Sequence, residues 1–207
     1  MRVLKFNHVL VGLSIIFMFG AYFFPIWQIR LAAPQYPEGL GMEIWLNKIV
    51  GVGEFDLQNI NLLNHYIGMA TINEHNISEL QYMPYMVFAL MFFSFIILCI
   101  DRSFALNLLF KGLLAIGLVG VFDFWYWEYS YGHNLNPKAS IKIPGMTYQP
   151  PFLGCENLLN IVACSYPGIG FILIGLAGFC IFIAVFKQKI VEILKSTAEK
   201  ELEEIVE

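Results

Sequence analysis

The run HVLVGLSIIFMFGAYFFPI, residues 8–26, decides how this chain is read. It is apolar throughout and about as long as the roughly 20 residues that a bilayer crossing needs. Its end, FFPIWQIR (residues 23–30), carries a tryptophan and an arginine of the kind that mark a membrane edge. A basic start, MRVLK, followed by an apolar run also fits a signal peptide. The apolar run is long for that, and LAA (residues 31–33) is a late and poor cleavage site. The expectation is an uncleaved first membrane helix.

Three further runs have the same character: 84–100, 112–129 and 168–186. Lys111 and Asp123 crowd the ends of the third, where a lysine can reach back to the headgroups. The chain has 207 residues, 58% hydrophobic and only 14% charged. Soluble domains carry roughly a quarter charged residues. A net charge of −4 leaves no footprint for nucleic acid. The expected fold is an all-α membrane protein, a single domain over 1–207. It has four transmembrane helices, a folded outward-facing cap built from the two long loops 27–83 and 130–167, and a helical tail at 187–207.

Lysine and arginine set the expected orientation. Arg2, Lys5, Arg102, Lys111, Lys187, Lys189, Lys195 and Lys200 fall on one side, against Arg30, Lys48, Lys138 and Lys142 on the other. Both termini are therefore expected in the cytoplasm, with the two long loops outside. Trp27, Trp125 and Trp127 fit an interfacial aromatic belt. In the tail, Val191, Leu194, Ala198, Leu202 and Ile205 repeat at helical spacing.

Both loops are too rich in aromatic and aliphatic residues to be disordered. APQYPEGLGM (residues 33–42) reads as a tight turn. FDLQNINLLNHYIGM (residues 55–69) reads as a helix capped by Asp56. Leu57, Ile60, Asn64 and Ile67 share one face. Gln58, Asn61 and His65 share another, with Met69 one turn on if the helix persists through Gly68. SIKIPG (residues 140–145) has the alternation of a short strand. Cys155 and Cys164 stand in the second loop. They form a disulfide there or remain two free thiols, and their spacing matches no usual metal motif.

The chemistry-bearing side chains of the loops are Met42, His65, Met69, His133 and Met146, with His75 and Met83 in second rank. Thioether and imidazole together suit Cu(I) better than iron–sulfur or structural zinc. The competing reading is ordinary packing and hydrogen bonding. No histidine pair is placed for haem, and no CxxCH, HExxH, GxSxG or P-loop occurs. Asp123 and Glu128 read as interfacial hydrogen-bonding carboxyls.

PQYPEGLGM (34–42), DLQNINLLNHYIGM (56–69) and YGHNLNPKASIKIPGMTYQPPFLG (131–154) resemble the NosB-like family of small integral-membrane proteins. That family is found in clade II nitrous-oxide-reductase gene clusters of bacteria. The resemblance covers most of the chain except the charged tail. It implies a multi-pass protein of the inner membrane that works beside a periplasmic copper enzyme or its maturation machinery. It carries no catalytic residues over, but its strings hold Met42, His65, Met69, His133 and Met146. The expected function is a non-enzymatic accessory factor for nitrous-oxide reduction that binds or passes copper on its periplasmic cap. The alternative is a structural or docking subunit with no metal of its own. A third reading, a quinone beside Trp125–Tyr131, lacks any redox centre.

Overall fold

The computed structural model describes residues 2–100, 103–143, 145 and 147–206. In chain order the elements are α1 (Arg2–Gly20), β1 (Trp27–Ala33), β2 (Tyr36–Ile44), β3 (Ile49–Gly51), α2 (Asp56–Ile67) and α3 (Glu79–Ile100). They continue with α4 (Ser103–His133), β4 (Gly154–Leu158), β5 (Ile161–Pro167) and α5 (Ile169–Val206).

The fold is mixed α/β, which corrects the all-α expectation. A five-stranded antiparallel sheet, in the order β3-β2-β1-β5-β4, stands where the sequence suggested loops. The reason lies at the end of the opening run. Trp27, Ile29 and Leu31 alternate with Gln28 and Arg30, the period-2 pattern of a half-buried strand. Continuity with the apolar run before it disguised that pattern. β1 pairs with β2 on one side and β5 on the other, so both long loops contribute to one sheet.

The span count is corrected as well. Three helices, Glu79–Ile100, Phe104–His133 and Ile169–Ala198, are long and apolar enough to cross a membrane. Among the described residues, 8–26 are not one of these helices. There the apolar helix is shorter, Asn7–Phe23. Phe24 is extended, at φ −138° and ψ 148°. The ring of Pro25 disfavours helical geometry in the residue before it. Ile26 then donates its N–H to the Ile44 carbonyl at 2.8 Å and enters the sheet.

The chain divides into two compact units. The helical unit comprises 1–19, 87–116 and 174–207. Its buried positions follow helical stripes, Leu10, Val11, Ser14 and Met18 on α1 and Ala177, Ile181 and Ala184 on α5. Ser14 and Ser94 are fully buried and return their hydroxyls to the carbonyls of Val11 and Leu90, both at 2.7 Å. That satisfies a hydroxyl without a second polar side chain.

The sheet unit comprises 20–86 and 117–173. Its core gathers Trp27, Ile29, Leu40, Met42, Ile44, Ile49 and Ile60. Register explains the grouping. Ile29 faces Met42 on one neighbour and Ser165 on the other, so the three stand in one cross-strand row. Trp27 is buried there rather than interfacial, and its ring meets those of Phe124, Phe152 and Phe171 at 4.9–5.5 Å.

Local expectations meet mixed outcomes. α2 forms, with Ile60 and Asn64 buried on the face proposed for them. Asp56 is its first residue rather than its cap. The carboxylate accepts N–H bonds from Gly41 and Gly53 at 2.8 and 2.9 Å, tying β2 to the turn before the helix. Residues 140–143 form no strand. Cys155 and Cys164 face each other across the β4–β5 pair and are joined as a disulfide.

Candidate functional site

A cavity of about 70 Å³ lies in the sheet unit. Its wall takes Ile29 and Met42 from the sheet, Ile60 and Asn64 from α2, and Trp127 and Glu128 from the end of α4. The rest of the wall comes from three connections, each held by an identifiable device.

The first is the chain after α2. Gly68 ends the helix in the left-handed region, φ 85°, where a side chain would be strained. Met69 then leaves the helix and lines the cavity. Asn61 clamps the returning chain. Its amide donates to the Ile72 carbonyl at 3.0 Å and accepts the Ile72 N–H at 2.6 Å. The second is the segment carrying Tyr148. Its N–H donates to the Gly132 carbonyl at 3.0 Å. A Cβ at Gly132 would stand 2.3 Å from Gln149 backbone, so only glycine lets this segment lie against α4. The third is the β4–β5 hairpin, whose Leu158, Leu159 and Ile161 close one side. Leu159 takes φ 61° to do so, a conformation that costs a branched residue on the order of 1–3 kcal/mol. The Cys155–Cys164 disulfide cross-links the hairpin behind it.

The wall is overwhelmingly apolar, but three side chains on it carry buried polar atoms without a hydrogen-bond partner. They are Asn64 Nδ2, Glu128 Oε2 and Tyr148 OH. Asn64 is 6% exposed, Glu128 0% and Tyr148 2%. Buried polar groups are nearly always satisfied, and Asn7 Oδ1 and Trp45 Nε1, away from this wall, are further exceptions. The other oxygen of Glu128 accepts one long bond, 3.5 Å, from the Ser165 hydroxyl. Ser165 is itself held by the Trp27 indole N–H at 2.7 Å. Among the described residues, no lysine, arginine or histidine lines the cavity.

Of the residues singled out by soft-metal chemistry, Met42 and Met69 come together on this wall. His65 does not join them. It is exposed on α2 with its ring 6.1 Å from that of Tyr66. With the helix closed at Gly68, His65 and Met69 do not continue one face. His133, at the end of α4, stacks on Tyr129 at 3.9 Å, and its Nδ1 donates to the Tyr129 carbonyl at 2.8 Å. It is not on the cavity wall. Met146 lies outside the described residues. Among the described residues no three His, Cys, Asp or Glu side chains gather as a metal site, a pattern that does not count thioethers.

Glu128, Asn64 and Tyr148 were not among the sequence candidates. Asn64 had a signal, as the one polar residue on the apolar face of α2. Glu128 had one too, as an acid inside an aromatic run, although it reads as interfacial and is in fact fully buried. Tyr148 had none. No protein-family model and no curated protein matches the chain.

Proposed function

We propose that this chain is a non-enzymatic accessory factor of a bacterial inner membrane that binds Cu(I) and passes it toward a periplasmic copper enzyme in nitrous-oxide reduction. The observation that carries this reading is that Met42 and Met69 both line the same cavity. Two thioethers in a water-poor pocket suit a soft monovalent ion and discriminate against hard cations. Copper here is cargo, held and released rather than used. The disulfide supports an oxidising compartment for the sheet unit, and the lysines near the end of α5 support a cytoplasmic C-terminus. The three strings that resemble the NosB-like family supply the enzyme context.

The test is competition between the purified full-length protein and a chromophoric Cu(I) chelator. One ion per chain is expected, with affinity falling roughly 10-fold or more in Met42→Leu and in Met69→Leu, substitutions that conserve volume. His65→Ala should leave binding unchanged. Absence of stoichiometric binding at micromolar concentration would overturn the reading. A docking subunit without metal is the second reading. Exposed Val52, Phe55, Leu62 and Tyr66 on the sheet unit favour it, as apolar surface that a partner could cover. Metal-free protein that co-purifies with a stoichiometric partner in mild detergent would select it.

A further inference from the structure

We propose that the Cys155–Cys164 bridge is a thiol–disulfide exchange site for a dithiol protein, and that its reduction frees one wall of the cavity. The claim goes beyond the copper reading and stands whatever the cavity holds.

Placement comes first. Alternation along β5 puts Val162, Cys164 and Tyr166 on one face of the sheet and Ala163 and Ser165 on the other. Ala163 and Ser165 are fully buried, so the first face is the outer one. Cys155 stands directly opposite Cys164 on β4, the last strand at that edge of the sheet. Cys155 is exposed and Cys164 half-buried, so a partner can approach the bridge from solvent. Exposed Val162 and Tyr166 flank it with apolar and aromatic surface on which such a partner can rest. Structural bridges resist reduction by the glutathione pool, whereas exposed ones are the labile, regulatory or catalytic class.

Chemistry comes next. The Tyr166 hydroxyl lies 3.1 Å from Cys155 Sγ. A disulfide sulfur carries no hydrogen, so the hydroxyl is the donor. That bond strengthens as Cys155 takes on negative charge. Cys155 is therefore the leaving sulfur and Cys164 the one attacked. A thiolate of the partner attacks Cys164 Sγ and the S–S bond breaks. Its electron pair goes to Cys155, which leaves as a thiolate and takes a proton from water. The partner's second thiolate attacks its own sulfur in the mixed disulfide and expels Cys164, which is protonated in the same way. The partner ends oxidised to a disulfide, and Cys155 and Cys164 end as thiols.

The consequence follows from the hairpin. Among the described residues, β4 pairs with β5 alone. The turn between them holds Leu159 at φ 61°, a conformation that favours glycine. The same hairpin lends Leu158, Leu159 and Ile161 to the cavity wall. With the bridge cut, a short edge strand keeps only its ladder to β5 against a strained turn.

The experiment treats full-length protein in detergent with millimolar reduced glutathione, followed by alkylation and mass spectrometry of the peptides holding Cys155 and Cys164. Both should become alkylated without denaturant. Thioredoxin with its second cysteine replaced by serine should be trapped as a mixed disulfide on Cys164. Tyr166→Phe, an exposed change, should slow reduction roughly 10-fold. In the reduced protein, hydrogen exchange of the amides at 154–161 should quicken roughly 10-fold or more, while that of α3 stays unchanged. A bridge that opens only in denaturant would overturn the exchange site. Trapping on Cys155, or an unchanged rate in Tyr166→Phe, would overturn the assignment of the leaving sulfur. Reduction with unchanged hydrogen exchange at 154–161 would overturn release of the wall.

Discussion

The two units differ in what surrounds their large apolar side chains. In the helical unit many large apolar side chains are outside, although Met18, Leu109 and Ile181 are fully buried. Phe88, Phe92 and Phe95 form a stripe along α3, each about 60% exposed. Inside stand Ser14, Ser94, Ala177 and Ala184, all fully buried. In the sheet unit Trp27, Ile29, Met42 and Ile60 are inside, and polar residues such as Arg30 and Glu38 are outside. Three helices long and apolar enough to cross a membrane are consistent with a lipid-facing exterior for the first pattern. Apolar side chains outside are stable when the surroundings are lipid, and close approach of helices then depends on small residues. Apolar side chains inside are stable when the surroundings are water.

The largest effect expected from that contrast is at Trp27. Trp27→Ala removes a ring packed against three others, and with it the N–H that holds Ser165. Truncations of this kind cost about 3–5 kcal/mol. Thermal unfolding in detergent should show early loss of the sheet unit, with cleavage by added protease between residues 133 and 153, while helical circular dichroism persists. A cost below about 1 kcal/mol would mean that the Trp27 pocket is not a core.

A smaller effect is expected at Cys155 and Cys164. The bridge closes a loop with a sequence separation of 9. Chain entropy assigns roughly 2–3 kcal/mol to a cross-link of that length. The double change to alanine should lower stability by about that amount. It should also weaken Cu(I) binding, because the hairpin supplies Leu158, Leu159 and Ile161 to the cavity wall. Unchanged binding together with reduced stability would separate the bridge from the site.

Much of this contrast was legible in the sequence, and the part that was not has a physical reason. The greasy runs at 84–100 and 168–186 are long; α3 contains the first and α5 all of the second but Gly168. The sheet was hidden by its neighbours. β1 follows an apolar run directly, so its alternation reads as the edge of a membrane span. β2 contains Pro37, Gly39 and Gly41, which read as a turn. At Gly41 a Cβ would meet the Arg30 guanidinium at 2.6 Å and the Val52 side chain at 2.8 Å, neighbours that the sheet supplies and a turn would not. For the site, residue chemistry pointed to Met42 and Met69, but helical spacing pointed to His65 as their companion. The stop at Gly68 broke that spacing. Glu128 lies on the cavity wall beside Ser165 of β5, a contact across a sequence separation of 37 that no local pattern contains.

The smallest effect should be at Phe95, and it is the sharpest probe of the contrast. This side chain is 59% exposed on α3, inside a helix long and apolar enough to cross a membrane. In lipid, Phe and Leu are nearly equivalent neighbours for an acyl chain, so Phe95→Leu should change stability by less than about 0.5 kcal/mol. The same reasoning holds for Phe88 and Phe92 on the stripe. The readout is thermal unfolding in detergent and again in lipid nanodiscs. A cost of about 2 kcal/mol or more would match burial of the ring against protein rather than lipid. The phenylalanine stripe would then be a contact face for another chain, and the helical unit would have a protein-packed exterior along α3 where the contrast requires a lipid-facing one.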